Sequence, residues 1–229
     1  MNLSSIDYQP VLQELEKTFS EEISENGPTN LLCLKATDSF LRADVRVMIF
    51  GQETNDWEID FLHPGGLPHL LETYNSFFNN ERCFSYGGQF WNGFAKLRDA
   101  IRQVYSEQQK TVGFIWNNVI KIGRCGGKGA PSQLILDWQK NTHELIRQEI
   151  AHYSPDVVIF LSGPNYDKHI MSIFDDVIFS PVSDRSERQL AKLTSDLLPL
   201  KTLRTYHPNY LWRNDFYSYL DDVVAFIKS

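Results

Sequence analysis

The stretch "VRVMIFGQETN" (residues 45–55) is an apolar run, interrupted only by Arg46, that stops at a glycine and turns polar. A strand covered on both faces reads as a continuous hydrophobic run, because neither side meets water. Three further runs are, like it, rich in β-branched and aromatic residues: "TVGFIW" (111–116), "DVVIFL" (156–161) and "KTLRTY" (201–206). Between them lie stretches of helical period at residues 68–79, 89–105, 131–153 and 185–198, with a helix over 11–19 before the first strand and one over 216–228 after the last. Buried strand alternating with amphipathic helix predicts βαβ units. The expected fold is α/β, a three-layer α/β/α sandwich with a central four-stranded parallel sheet, in a single domain spanning residues 1–229. A chain of 229 residues is long enough to bury such a core without disulfides or metals.

Composition narrows the function classes. The three cysteines, Cys33, Cys83 and Cys125, form no CxxC pair, so no metal site, redox cofactor or disulfide framework is expected. The opening residues have no apolar leader, and no run is long enough to span a bilayer, so a cytoplasmic monomer without membrane partners is expected. The net charge of −7 opposes indiscriminate attraction to nucleic acid. Two segments are nevertheless locally basic: residues 118–136 carry Lys121, Arg124 and Lys128 without an acid, and 197–213 carry Lys201, Arg204 and Arg213 without one. Opposing them, Glu53, Asp56, Glu58 and Asp60 crowd the loop after the first strand.

In an open parallel α/β sheet, ligands bind beyond the carboxyl ends of the strands. The segments there are "GQETN" (51–55), "NNVIKIGRCGGKG" (117–129), "SGPNYD" (162–167) and "HPNYLWR" (207–213). Taken in order with "CFSYGGQFWNGFAKL" (83–97), they resemble the uracil-DNA glycosylase superfamily over residues 45–213. "GQETN" is similar to that family's GQDPY, "CFSYGG" to its FSV-type segment, "FIWN" with the following glycine-rich loop to its LLLN strand and basic loop, and "HPNYLW" to its HPSPLS.

The resemblance implies DNA as partner, no cofactor, and a set of roles. Glu53 would occupy the position of the carboxylate that orients water and supports a cationic sugar, with Gln52 as the alternative one place earlier. Glu53 is equally readable as a solvated loop acid. His207 would donate a hydrogen bond to the departing base. Asn117 would read the base edge, or Asn118 if the register slips by one, and Phe84 would stack on the base unless it is simply core. Thr54 and Asn55 replace the family's proline and tyrosine, which implies a roomier pocket around Asn55. Leu211 resembles the wedge that fills the space of a flipped base, with Tyr210 and Trp212 as large neighbours. Asn209, Tyr210 and Arg213, together with Lys121, Arg124 and Lys128, would meet the DNA. Two other functions fit the same residues: a nucleic-acid-binding module without hydrolysis, and an enzyme acting on free nucleosides or nucleotides.

Overall fold

The computed structural model describes residues 6–19, 27–54, 56–58, 61–126 and 131–228. Its strands are β1 (Val45–Glu53), β2 (Val112–Ile120), β3 (Val157–Phe160), β4 (Ile178–Pro181), β5 (Leu190–Thr194) and β6 (Lys201–Thr205). They form one six-stranded sheet in the order β2-β1-β3-β6-β5-β4. Helices α1 (Gln9–Phe19) and α2 (Asp38–Leu41) precede β1. Between β1 and β2 lie α3 (Gly66–Tyr74), running into a π turn at Asn75–Asn79, then α4 (Arg82–Tyr86) and α5 (Gln89–Ser106). After β2 come α6 (Gln133–Trp138), a 3-10 turn at Gln139–Thr142 and α7 (His143–Tyr153). Helix α8 (Asp167–Ile173) follows β3, and α9 (Pro208–Leu211) and α10 (Phe216–Lys228) follow β6.

Strands β1, β2, β3 and β6 are parallel, with Val45 opposite Val112, Val47 opposite Val157, and Val157 opposite Lys201. Val47, Met48, Ile49 and Phe50 are all 0 % exposed, so consecutive residues of β1 are covered on both faces. The covering layers follow from alternation along β2. The Trp116 ring meets that of Trp91 on α5 at 4.9 Å, whereas Asn117 hydrogen-bonds Glu149 on α7. Successive strand residues point to opposite faces, so α5 and α7 lie on opposite sides of the sheet.

The expected four-stranded sheet is corrected to six strands. Residues 185–198, expected to be helical, instead contain β5, which pairs antiparallel with β6 and with β4. The guanidinium of Arg204 on β6 explains part of the difference. It donates to the carbonyls of Glu187 and Arg188 at 2.9 Å each and pairs twice with Asp167. The backbone entering β5 thus has partners that a helix would have taken away.

One polar cluster lies inside the apolar layers. Lys121 Nζ is 2.6 Å from Glu149 Oε1, both side chains are 0 % exposed, and the ammonium also donates to Asn117 Oδ1 at 3.0 Å. Asn117 Nδ2 donates to Glu149 Oε2 at 2.8 Å, and the Tyr8 hydroxyl donates to Oε1 at 3.0 Å. Burial pulls the Lys121 ammonium below its ordinary pKa range, and the adjacent Glu149 carboxylate opposes that pull. The backbone N–H of Lys121 donates to Gln139 Oε1 at 3.0 Å, while Gln139 Nε2 donates to the Ile122 carbonyl at 2.9 Å. Removing one member leaves the other charge buried alone. Lys121→Met is therefore expected to destabilise the protein by about 3–5 kcal/mol in urea unfolding. The double change Lys121→Met/Glu149→Leu should be less destabilised than the single one. Wild-type stability in Lys121→Met would contradict this account.

Candidate active site

Strand β1 lies between β2 and β3, so the chain leaving β1 crosses to one side and the chain leaving β3 to the other. Such a divergence opens a crevice at the carboxyl ends of the strands. A cavity of about 950 Å³ lies there, walled by the end of β1, Trp116 and Asn118 of β2, Phe90 and Trp91 of α5, and His207 beyond β6. Two glycines permit the close approach of its walls. A Cβ on Gly51 would press on Asn118 Oδ1 and lie 3.1 Å from the Phe90 ring. A Cβ on Gly123 would overlap the Thr54 carbonyl. Thr29 secures the same junction, since its Oγ1 accepts from the Gly123 N–H at 2.7 Å and lies 3.1 Å from Thr54 Oγ1.

Glu53 ends β1 and lines the cavity. Its Oε2 accepts a hydrogen bond from the Tyr166 hydroxyl at 3.2 Å, from the 3-10 turn Pro164–Tyr166 that follows β3. Burial raises the Glu53 pKa, while the Tyr166 hydrogen bond and the charge of Arg124 pull it back. Gln52 Nε2 donates to the Ser162 carbonyl at 2.7 Å, which fixes that amide against the loop after β3.

His207 caps α9, its Nδ1 accepting from the Asn209 N–H at 3.1 Å with Pro208 in the first helical turn. With Nδ1 an acceptor, the neutral ring carries its hydrogen on Nε2. The imidazole stacks against Phe90 with centroids 5.5 Å apart, and burial lowers its pKa to about 4. Asn118 is only 1 % exposed, and its Oδ1 accepts from Trp116 Nε1 at 3.2 Å. That bond orients the amide. Asn118 Nδ2 has no partner among the described residues. Buried donors are seldom left unpaired, so a carbonyl oxygen in the cavity is its natural acceptor.

Several expected positions are corrected. Strand β2 does not end at Trp116 but runs on to Ile120, and Asn117 faces α7 in the buried ion cluster, while Asn118 takes the cavity side. Phe84 packs among Phe78, Trp91 and Phe94 under the Arg98 guanidinium, and Phe90 supplies the aromatic wall instead. Lys121 is fully buried against Glu149 and is not at the surface where DNA would lie. Leu211 is 3 % exposed, packed with Phe216 and Tyr219, and presents no wedge. Gln52 and Asn209 line the cavity with Glu53 and His207. Tyr210 is partly exposed and stacks on Tyr206 at 4.0 Å, and the exposed Arg213 donates to the Asn209 carbonyl at 3.0 Å. Arg124 is half-buried near Glu53. Asn55 and Lys128 lie outside the described residues.

Sequence reasoning gave no role to Tyr166, Phe90, Trp116 or the cavity residues Arg82 and Tyr86. Two-residue alternation from Trp116 would have selected Asn118 over Asn117. Nothing local in "SGPNYD" marks Tyr166 as a partner of Glu53. Among the described residues, no helix is long and apolar enough to cross a membrane, and no group of His, Cys, Asp or Glu side chains is placed to hold a metal ion. No protein-family model matches the chain, and no curated protein matches it.

The state of His207 is testable. An unfolded histidine takes a proton near pH 6.5, whereas folded His207 resists until about pH 4. Between those values the unfolded chain binds more protons at this position, so its contribution to stability falls as pH falls through the window. Nitrogen-15 NMR should report a neutral imidazole protonated on Nε2 at pH 6, and His207→Gln should flatten the stability slope between about pH 6.5 and 4. A cationic ring at pH 6 would overturn the assignment.

Proposed function

We propose that the protein is a DNA N-glycosylase of the uracil-DNA glycosylase type, hydrolysing the bond between deoxyribose and a flipped uracil or related damaged base. The observation that carries the proposal is one cavity holding a neutral, half-buried hydrogen-bond donor, His207, and a carboxyl group, Glu53, at the carboxyl ends of the same parallel sheet. The α/β/α layering and the order of the motifs over residues 45–213 support the same family.

A stacked base is out of reach of such a cavity, so the nucleotide is extruded into it. Phe90 offers the base an aromatic face, and Asn118 Nδ2 donates to a keto oxygen such as O4 of uracil. As the C1′–N1 bond breaks, the base keeps the electron pair and negative charge gathers on O2, where His207 Nε2–H donates. Positive charge develops on the sugar, where the Glu53 carboxylate opposes it and orients a water molecule. The water oxygen bonds to C1′, and its proton passes to Glu53 and on to the departing base. The Tyr166 hydroxyl holds Oε2 and leaves Oε1 to the water. Arg82, Tyr86 and Asn209 at the cavity, with Arg213 beside Asn209, offer cations and an aromatic ring to the flanking DNA.

Hydrolysis of a free nucleoside by the same residues is a second reading. It is favoured by the acidity of the cavity, which Glu53, Asp56, Glu58 and Glu72 all line.

Release of uracil from an oligonucleotide, followed by alkaline cleavage at the abasic site, tests the assignment, with deoxyuridine as the free-nucleoside control. Glu53→Gln and His207→Ala should each slow release about 100- to 1,000-fold. Unchanged release in Glu53→Gln would remove the carboxylate from the mechanism. Tyr166→Phe has a separate signature. Losing the hydrogen bond that lowers the Glu53 pKa moves the acid limb of the pH–rate profile to higher pH. An unmoved limb would mean that Tyr166 does not act through Glu53.

A further inference from the structure

The cavity is larger than the proposed chemistry needs. Ligand sites of about 300–1,000 Å³ enclose drug-sized molecules, so 950 Å³ leaves most of the space empty around one pyrimidine ring. The ring position is set by Glu53, His207, Phe90 and Asn118. The remainder extends along the chain after β1, past Asp56, Trp57 and Glu58, to Thr73 and Phe77.

The lobe is rich in acceptors. Glu58 Oε2 accepts from the Thr73 hydroxyl at 3.0 Å and lies 3.1 Å from His69 Nε2, and its Oε1 has no partner among the described residues. Asp56 Oδ1 accepts from the Gly126 N–H at 2.6 Å, and no Lys or Arg pairs with it among the described residues. Glu72, by contrast, is held by Lys35 at 3.3 Å, and Arg82 is turned to Ser76 Oγ at 2.9 Å. The ring of Trp57 lies edge-on to Phe77 and Trp116, and aromatic faces beside carboxylates attract cations. Asn118, nearly fully buried with Nδ2 unpaired, anchors the keto edge at the other end of the cavity.

Uracil chemistry then dictates where an arm can leave the ring. N1 carries the sugar, O2 meets His207, and the N3–O4 edge faces Asn118. C6 adjoins the sugar, which leaves C5. We infer that the favoured base carries on C5 an extended arm ending in a protonated amine, seated between Asp56 and Glu58 against Trp57 and Phe77. The inference rests on the ring site being a base pocket, and does not require that the bond be hydrolysed.

Two measurements separate these. Oligonucleotides containing 5-(3-aminoallyl)uracil or 5-propynyluracil, arms of similar length with and without the amine, are compared for base release. The matching free nucleosides are compared for binding by calorimetry. The amine should be favoured about tenfold or more over the neutral arm, because hydrogen bonds to charged groups are the strong ones. Glu58→Gln should bring that ratio close to one. Nucleoside binding that favours the amine without any base release would uphold the inference and overturn the glycosylase. Base release with no preference for the amine, or a preference that survives in both Glu58→Gln and Asp56→Asn, would overturn the inference and leave the glycosylase standing. Neither release nor preference would sink both.

Discussion

The buried pair of Lys121 and Glu149 is the constraint on which the rest depends. Two charges without water are tolerable only when hydrogen bonds take the place of solvent, and Asn117 and Tyr8 supply them to the pair while Gln139 holds the Lys121 backbone N–H. The consequence is parity. With Asn117 and Lys121 committed to the α7 side, Trp116 and Asn118 must face the cavity. A slip of one residue in β2 would put a lysine in the cavity and a tryptophan against a carboxylate, so register and site stand or fall together.

Burial acts in opposite directions on the two groups proposed for the chemistry. It raises the pKa of Glu53 and lowers that of His207, in each case by penalising the charged form. For His207 nothing opposes the shift, and a neutral donor results. For Glu53 the Tyr166 hydroxyl and the charge of Arg124 restrain it. The cavity therefore holds a donor that adds no charge of its own and a carboxyl group whose upward shift is limited by two neighbours. Electrostatic effects on a reacting bond are stronger there than in water.

Much of this was legible in the sequence. The four buried runs correspond to the parallel strands, and Glu53 and His207 lie where strand-end reasoning put them. What was not legible shares a cause: the choice between two neighbouring residues, or two faces, made by distant partners. Asn117 and Asn118 are chemically identical, and alternation tells them apart only once Glu149, 32 residues beyond Asn117, shows which face of β2 meets α7. Phe84 and Phe90 sit on either side of Gly87 and Gly88, whose positive φ values of 84° and 86° re-aim the chain. Leu211 reads as an exposed tip until Phe216 and Tyr219 are seen to enclose it. The leucines over residues 190–198 mimic helical spacing, and Arg204 provides the partners for the extended form instead.

The hairpin of β4 and β5 also guards one of the two edges of the sheet. Without it, β6 would be an open edge, and its free N–H and C=O groups would lie next to the loop that carries His207. The hairpin moves that edge outward to β4, which is four residues long and ends in Pro181, a residue with no N–H to donate. A strand from a second molecule finds few bonding groups there. Protection of this edge against pairing with another strand is thus built two strands away from the loop that carries the histidine, while the nine-residue β2 forms the opposite edge of the sheet.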